Sequence, residues 1–202
     1  MIGSIEDRQF GCLEYVGPRK ALLLNFFFRS LSAVKGWRTR TLEAYRFKEQ
    51  AALFCYGMKM AMPTHDWAFA MWPEQQSDID CVFRIKSEGS RRYLKVQLKE
   101  VVPESINQTA SVQQILQKFN NSKASRGLVV GVYINRNGTL VVKDLILPEG
   151  FDGQVWLLGL CGENNQRRFL VGDLMNDPKT TLFEYPQFAL GEQASDWKSD
   201  ED

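Results

Sequence analysis

The stretch from Asp78 to Val102, DIDCVFRIKSEGSRRYLKVQLKEVV, constrains the fold more than any other part of the chain. In residues 79–86 the apolar Ile79, Cys81, Phe83 and Ile85 alternate with Asp80, Arg84 and Lys86. In residues 93–99 Leu94, Val96 and Leu98 alternate with Tyr93, Lys95, Gln97 and Lys99. A period of two marks a strand with one face in a core, and Ser-Glu-Gly-Ser between the runs supplies a turn. If both apolar faces meet the same core, residue 81 stands opposite 96, and 83 opposite 94. Asp80 then falls opposite Gln97, with Lys99 one step along the same polar face. A carboxylate, an amide oxygen and an ammonium are thereby predicted to converge on one patch. Asp78 has the same parity and is the alternative carboxylate.

The rest of the chain supplies helices before this hairpin and a helix with further strands after it. Residues 18–34 read as a strongly apolar helix, with Pro18 at its start and Gly36 beyond its end. So apolar a segment must be buried, in the fold or against a second copy or protein partner. A second helix is predicted over 41–60, with Leu42, Tyr45, Ala52, Leu53 and Tyr56 on one stripe and Glu49 within it. A carboxylate inside an apolar stripe needs a partner, because an unpaired buried charge is costly. Residues 61–77 form a connection with a short edge strand at 67–71, and His65 reads as a loop residue. Beyond the hairpin a helix is expected over 111–122, then strands at 127–135, 139–147 and 154–161, and an apolar run at 169–174. The segment after Asn176 reads as a trailing end, and 191–202 as a disordered acidic tail. Helices interspersed with strands in this order predict an α/β domain with a mixed sheet, spanning residues 1–190.

Charge and cysteine usage set the functional frame. The formal net charge is +1, so the whole molecule is not tuned to a polyanion. Locally, residues 16–60 hold nine Lys or Arg against two Glu, a basic face suited to a phosphate backbone. The four cysteines, 12, 55, 81 and 161, are widely spaced and form no Cys-x-x-Cys pair, so they read as reduced thiols of a cytoplasmic protein. The apolar run 21–28 is too short to span a bilayer, so no membrane association is expected. Walker-type, dinucleotide-binding and serine-elbow motifs do not occur, so nucleotide-driven and serine-hydrolase chemistry finds little support in the sequence.

An inward Glu on a helix, an Asp-started strand, a turn, a strand ending in Gln-x-Lys, a helix and another strand together resemble the PD-(D/E)XK nuclease superfamily. Glu49, Asp80 and Gln97-Leu98-Lys99 carry the resemblance, which covers about residues 40–135. Gln97 occupies the position usually held by Asp or Glu, and the Pro-Asp dipeptide is replaced. The resemblance implies a restriction-endonuclease-like core, Mg²⁺ or Mn²⁺ as cofactor, and hydrolysis of DNA phosphodiesters. Asp80 would anchor the cation, joined by the Gln97 amide oxygen and the Leu98 carbonyl. Lys99 would orient water or stabilise the developing charge, and Glu49 would act through water or hold Lys99. Arg38, Arg40, Lys48, Arg91 and Arg92 are the expected phosphate contacts. The alternative is a catalytically silent nuclease-like domain that binds nucleic acid or protein.

Overall fold

The computed structural model describes residues 9–25, 39–73, 78–119, 127–161, 167–176 and 178–187, with side chains from Arg46 onward in the long helix. Helix α1 occupies 18–25, α2 runs Thr39–Ala61 and α3 runs Val112–Gln117. The strands are β1 (Asp66–Met71), β2 (Cys81–Ser87), β3 (Ser90–Val101), β4 (Leu128–Ile134), β5 (Gln154–Cys161), β6 (Arg167–Gly172) and β7 (Lys179–Glu184). They form one seven-stranded sheet in sequential order, β1 to β7. The pairs β3–β4 and β4–β5 are parallel and all others antiparallel, so the chain is an α/β protein with a mixed sheet.

The hairpin forms in the register its alternation predicts, with Cys81 opposite Val96 and Phe83 opposite Leu94. Glu88 and Gly89 make the turn, and Gly89 takes a φ of 69° that glycine adopts without strain. The core-facing side chains Cys81, Phe83, Ile85, Val96 and Leu98 join Val129, Trp156, Leu158 and Leu170 under α2. From Ala51 to Cys55 every residue of α2 is buried, because Ala21 and Leu22 of α1 belong to the same cluster. Ala21, Leu22 and Leu23 are therefore spent on the chain's own core rather than on a partner, and residues 26–34 of the expected helix lie outside the described residues.

The opposite face of the sheet is covered differently along its width. Over β3 to β6, Val101, Val130, Val132, Val155, Leu157 and Val171 pack with Val112 and Leu116 of α3 and with Phe119 and Phe151. Over β2 and β3, Phe10 seals Val82 and Tyr93, helped by Tyr15, Trp72 and Ile79. Between these two clusters the polar side chains of β3 are left.

Three sequence expectations are corrected. Residues 139–147 do not form a strand: a short 3-10 turn, Val142–Asp144, sits in an irregular crossover. The reason is topological, since β4 already pairs with β3 and β5, and a parallel β4–β5 pair requires a connection across the sheet face. Gln113 replaces a ladder there, donating to the Ile146 carbonyl at 3.0 Å and accepting its N–H at 2.9 Å. Lys179–Glu184, expected within the trailing end, is the edge strand β7 paired with β6. Ile79, expected on the core face with Cys81 and Phe83, packs instead with Val82 and Tyr93 on the other face.

Candidate functional site at the end of the central strand

The displacement of Ile79 has a local cause. The Val96 carbonyl, opposite Cys81 in the ladder, accepts the N–H of Asp80 at 2.9 Å. Residues 80 and 81 are both set against Val96, the arrangement of a β-bulge, which re-aims the side chains that precede it. Asp80 consequently does not stand in a regular pair with Gln97. Its carboxylate lies where β2 leaves β3 and accepts the backbone N–H of Leu98 at 2.6 Å. On the other side, the Asp80 carbonyl accepts the N–H of Trp72 at 2.9 Å. Asp80 thus joins three segments with its main chain and side chain.

Burial pushes the Asp80 carboxyl above the ordinary aspartate range, and the nearby Asp78 charge adds to that. The Leu98 N–H and the Lys99 ammonium work in the opposite direction. Desolvation is the largest influence: burial removes water that would stabilise the ionised carboxylate.

Gln97 and Lys99 point to the face covered by α3, since they lie beside Val130 and Val132 of the parallel neighbour β4. They form the floor of a groove of about 420 Å³, lined by Asp78, Gln97, Lys99, Glu100, Ile115, Lys118, Phe119 and Leu128. Asp78 is exposed there, whereas Gln97 and Lys99 are half-buried. The helix that brings Lys118 is started by Ser111, whose hydroxyl accepts the N–H of Gln114 at 3.2 Å. Asp78, Gln97 and Lys99 therefore share the groove; Asp80 does not line it but lies within electrostatic reach of Lys99.

Glu49 is placed otherwise than its expected role needs. It is half-buried on α2, which packs on the sheet face opposite Gln97 and Lys99, and it does not line the groove. From α2 it is Arg46 and Gln50 that reach the end of β3. Glu100 accepts from Arg46, from Gln50 Nε2 at 2.9 Å and from Asn135 Nδ2 at 2.8 Å. Sequence reasoning missed this hub, although a signal was present. Glu100 continues the core-facing series 94, 96, 98, and a charge at such a position demands partners. Arg46 and Gln50, four residues apart on one helix face, are the matching donors.

The expected phosphate contacts are scattered. Arg91 and Arg92 are exposed at the hairpin end of β3, roughly 25 Å along the strand from Lys99. Lys48 is half-buried on α2, the Arg40 side chain is not described, and Arg38 lies outside the described residues. Lys118, which sequence reasoning gave no role, is the cation the fold sets beside Lys99.

As a cation site the end of β3 offers two carboxylates, the Gln97 amide and the Leu98 carbonyl. Among the described residues no group of three or more His, Cys, Asp or Glu side chains could hold a metal. A hard cation that keeps several waters needs few protein oxygens. The oxygens available to such an ion at this strand end are those of Asp78, Asp80, Gln97 and Leu98. No family model, curated protein or solved structure matches the chain. No helix among the described residues is long and apolar enough to cross a membrane.

Proposed function

We propose that the protein is a metal-dependent nuclease that hydrolyses DNA phosphodiesters at the end of β3. The observation that carries the reading is that Asp78, Gln97 and Lys99 line one groove, with Asp80 within electrostatic reach of Lys99 where the β-bulge opens the β2–β3 ladder. The order of α2, a three-strand antiparallel meander, α3 and a parallel strand supports the likeness to a PD-(D/E)XK core. Asp80, Asp78, Gln97 and the Leu98 carbonyl would hold Mg²⁺ or Mn²⁺, which supplies Lewis-acid polarisation of the phosphoryl group and a more acidic water. Lys99 stabilises negative charge as it develops on the phosphoryl oxygens, from a half-buried position where screening by water is reduced. Asp80 positions that strand end by holding the Leu98 N–H. Glu49 is assigned no contact with the reacting atoms in this reading.

A second reading is favoured by Gln97 itself. An amide in place of a carboxylate removes one negative charge from the ligand set, as befits a domain that binds nucleic acid without cutting it. Both are tested by incubating the protein with a panel of DNA substrates in Mg²⁺ or Mn²⁺, with EDTA as control. The nuclease reading expects EDTA-sensitive cleavage that Asp80→Ala and Lys99→Ala each abolish while the fold is retained. Absence of cleavage with either metal sinks it and leaves the binding module.

A further inference from the structure

We propose that the groove between β3 and α3 takes an unpaired DNA strand in preference to a duplex, with Lys118 gripping a phosphate beside Lys99. This rests on the nuclease reading and names its substrate class. Three observations carry it.

The first is the size of the groove. Ile115, Lys118 and Phe119 stand along one side of the polar floor, while Phe10, Val82 and Tyr93 cover the sheet beyond Lys95 and do not line it. Its volume of about 420 Å³ is that of a small-molecule pocket, enough for an unpaired nucleotide.

The second is the division of the lining. Lys99 and Lys118 bring two cations to one end, and Lys95 stands four residues before Lys99 on the same strand face, about 13 Å away. Ile115, Phe119 and Leu128 supply an apolar wall. A phosphate wants the first set, and an unstacked base or sugar wants the second. In a duplex the bases are paired and stacked and cannot reach such a wall.

The third is charge. Of the two acidic groups among the described residues of the lining, Glu100 is already paired with Arg46, and Asp78 faces the groove. Asp78 is also a candidate cation ligand. With a divalent cation held there, the groove is electropositive and suited to a phosphodiester chain.

The test uses the unmodified full-length protein with Ca²⁺ in place of Mg²⁺, to silence cleavage while a hard divalent cation is kept, and fluorescence anisotropy with two labelled probes. One is an oligothymidylate of about twelve nucleotides and the other a blunt duplex of similar length. The single strand is expected to bind about tenfold more tightly or better at moderate salt. Lys118→Ala, at an exposed position, should weaken single-strand binding and lower the salt slope by about 0.7, one phosphate contact's worth, at unchanged melting temperature. Ile115→Asp should weaken it as well, by spoiling the apolar wall. Duplex binding equal to or tighter than single-strand binding overturns the inference, and so does a Lys118→Ala protein indistinguishable in affinity and salt slope. Failure of the nuclease reading is seen separately. Strand-selective binding with no cleavage by the unmodified protein would remove the hydrolase and leave the groove's occupant as assigned. Duplex cleavage without strand preference would do the reverse.

Discussion

The Asp80 carboxylate accepts the Leu98 N–H at 2.6 Å and so closes, with a side chain, the gap that opens where β2 parts from β3. Two demands meet on this one group. Its oxygen is needed as a hydrogen-bond acceptor by the sheet, and its charge is needed by any cation at the site.

These demands are separable by substitution. Asp80→Asn keeps an acceptor for Leu98 and removes the charge that burial disfavours, whereas Asp80→Ala leaves the N–H unpaired, at a cost of about 1–2 kcal/mol. In urea unfolding at pH 7, Asp80→Asn should equal or exceed the unmodified protein and Asp80→Ala should fall below it. Both should lose Mn²⁺ binding. An Asn variant less stable than the Ala variant would count against the role of the Leu98 contact.

The same group sets a pH dependence. Its folded-state pKa is raised, chiefly by burial, so its contribution to stability is fully present below the unfolded value of about 3.9 and is lost as pH rises through the folded value. Cation binding has the opposite sign, because it needs the ionised form. Mn²⁺ affinity, followed by calorimetry, should begin to fall on acidification at a pH above the ordinary aspartate range. A loss that begins only below that range would contradict the burial effect.

Gln97→Glu adds a carboxylate to the groove floor. If the amide oxygen is a cation ligand, Mn²⁺ binding should tighten clearly, since hard cations favour charged oxygen. Identical titrations for the two proteins would remove Gln97 from the ligand set.

Glu100→Ala strips the acceptor from Arg46, Gln50 and Asn135 at once. Arg46 is 41% exposed and contributes little through its charge, but Gln50 is buried. A loss of about 2 kcal/mol in denaturant unfolding is expected, with Glu100→Gln recovering part of it. A change within experimental error would mean that water replaces the hub.

Gly153→Ala tests the entry to β5. A methyl group there would meet the Leu128 carbonyl oxygen at 2.4 Å, a backbone atom that cannot turn aside, and the Phe151 ring at 2.6 Å. Destabilisation of about 3 kcal/mol is expected, a fall in melting temperature of roughly 6–12 °C.

The hairpin register was legible because both of its strands alternate cleanly and each has a single apolar face. The bulge at Asp80 was not, since nothing in Ser-Asp-Ile-Asp announces that one residue will be skipped. Ile79 was therefore assigned to the wrong face by strict alternation. The strand β7 escaped notice because an edge strand with one well-buried residue, Phe183, carries no apolar run. The segment 139–147 is rich in Leu, Val and Ile like a strand, yet its Val141 and Ile146 are exposed, because a crossover borrows the composition of strands without their pairing. The groove could not be read at all. Lys118 and Leu128 reach Gln97 and Lys99 only through the parallel pairing of β3 and β4, a long-range choice that no local pattern encodes.

Leu98 and Glu100 serve the layer under α2, while Gln97 and Lys99 face the groove, so consecutive residues of β3 have unrelated duties. Insertion or deletion of a single residue before this end of the strand would exchange the two sets, placing Lys99 beneath the helix and Leu98 in the groove. A change of two residues would restore the facing but break the meeting of Glu100 with Arg46 and Gln50. Within this hairpin, a change of length is thus accommodated at the Glu88–Gly89 turn and not in β3.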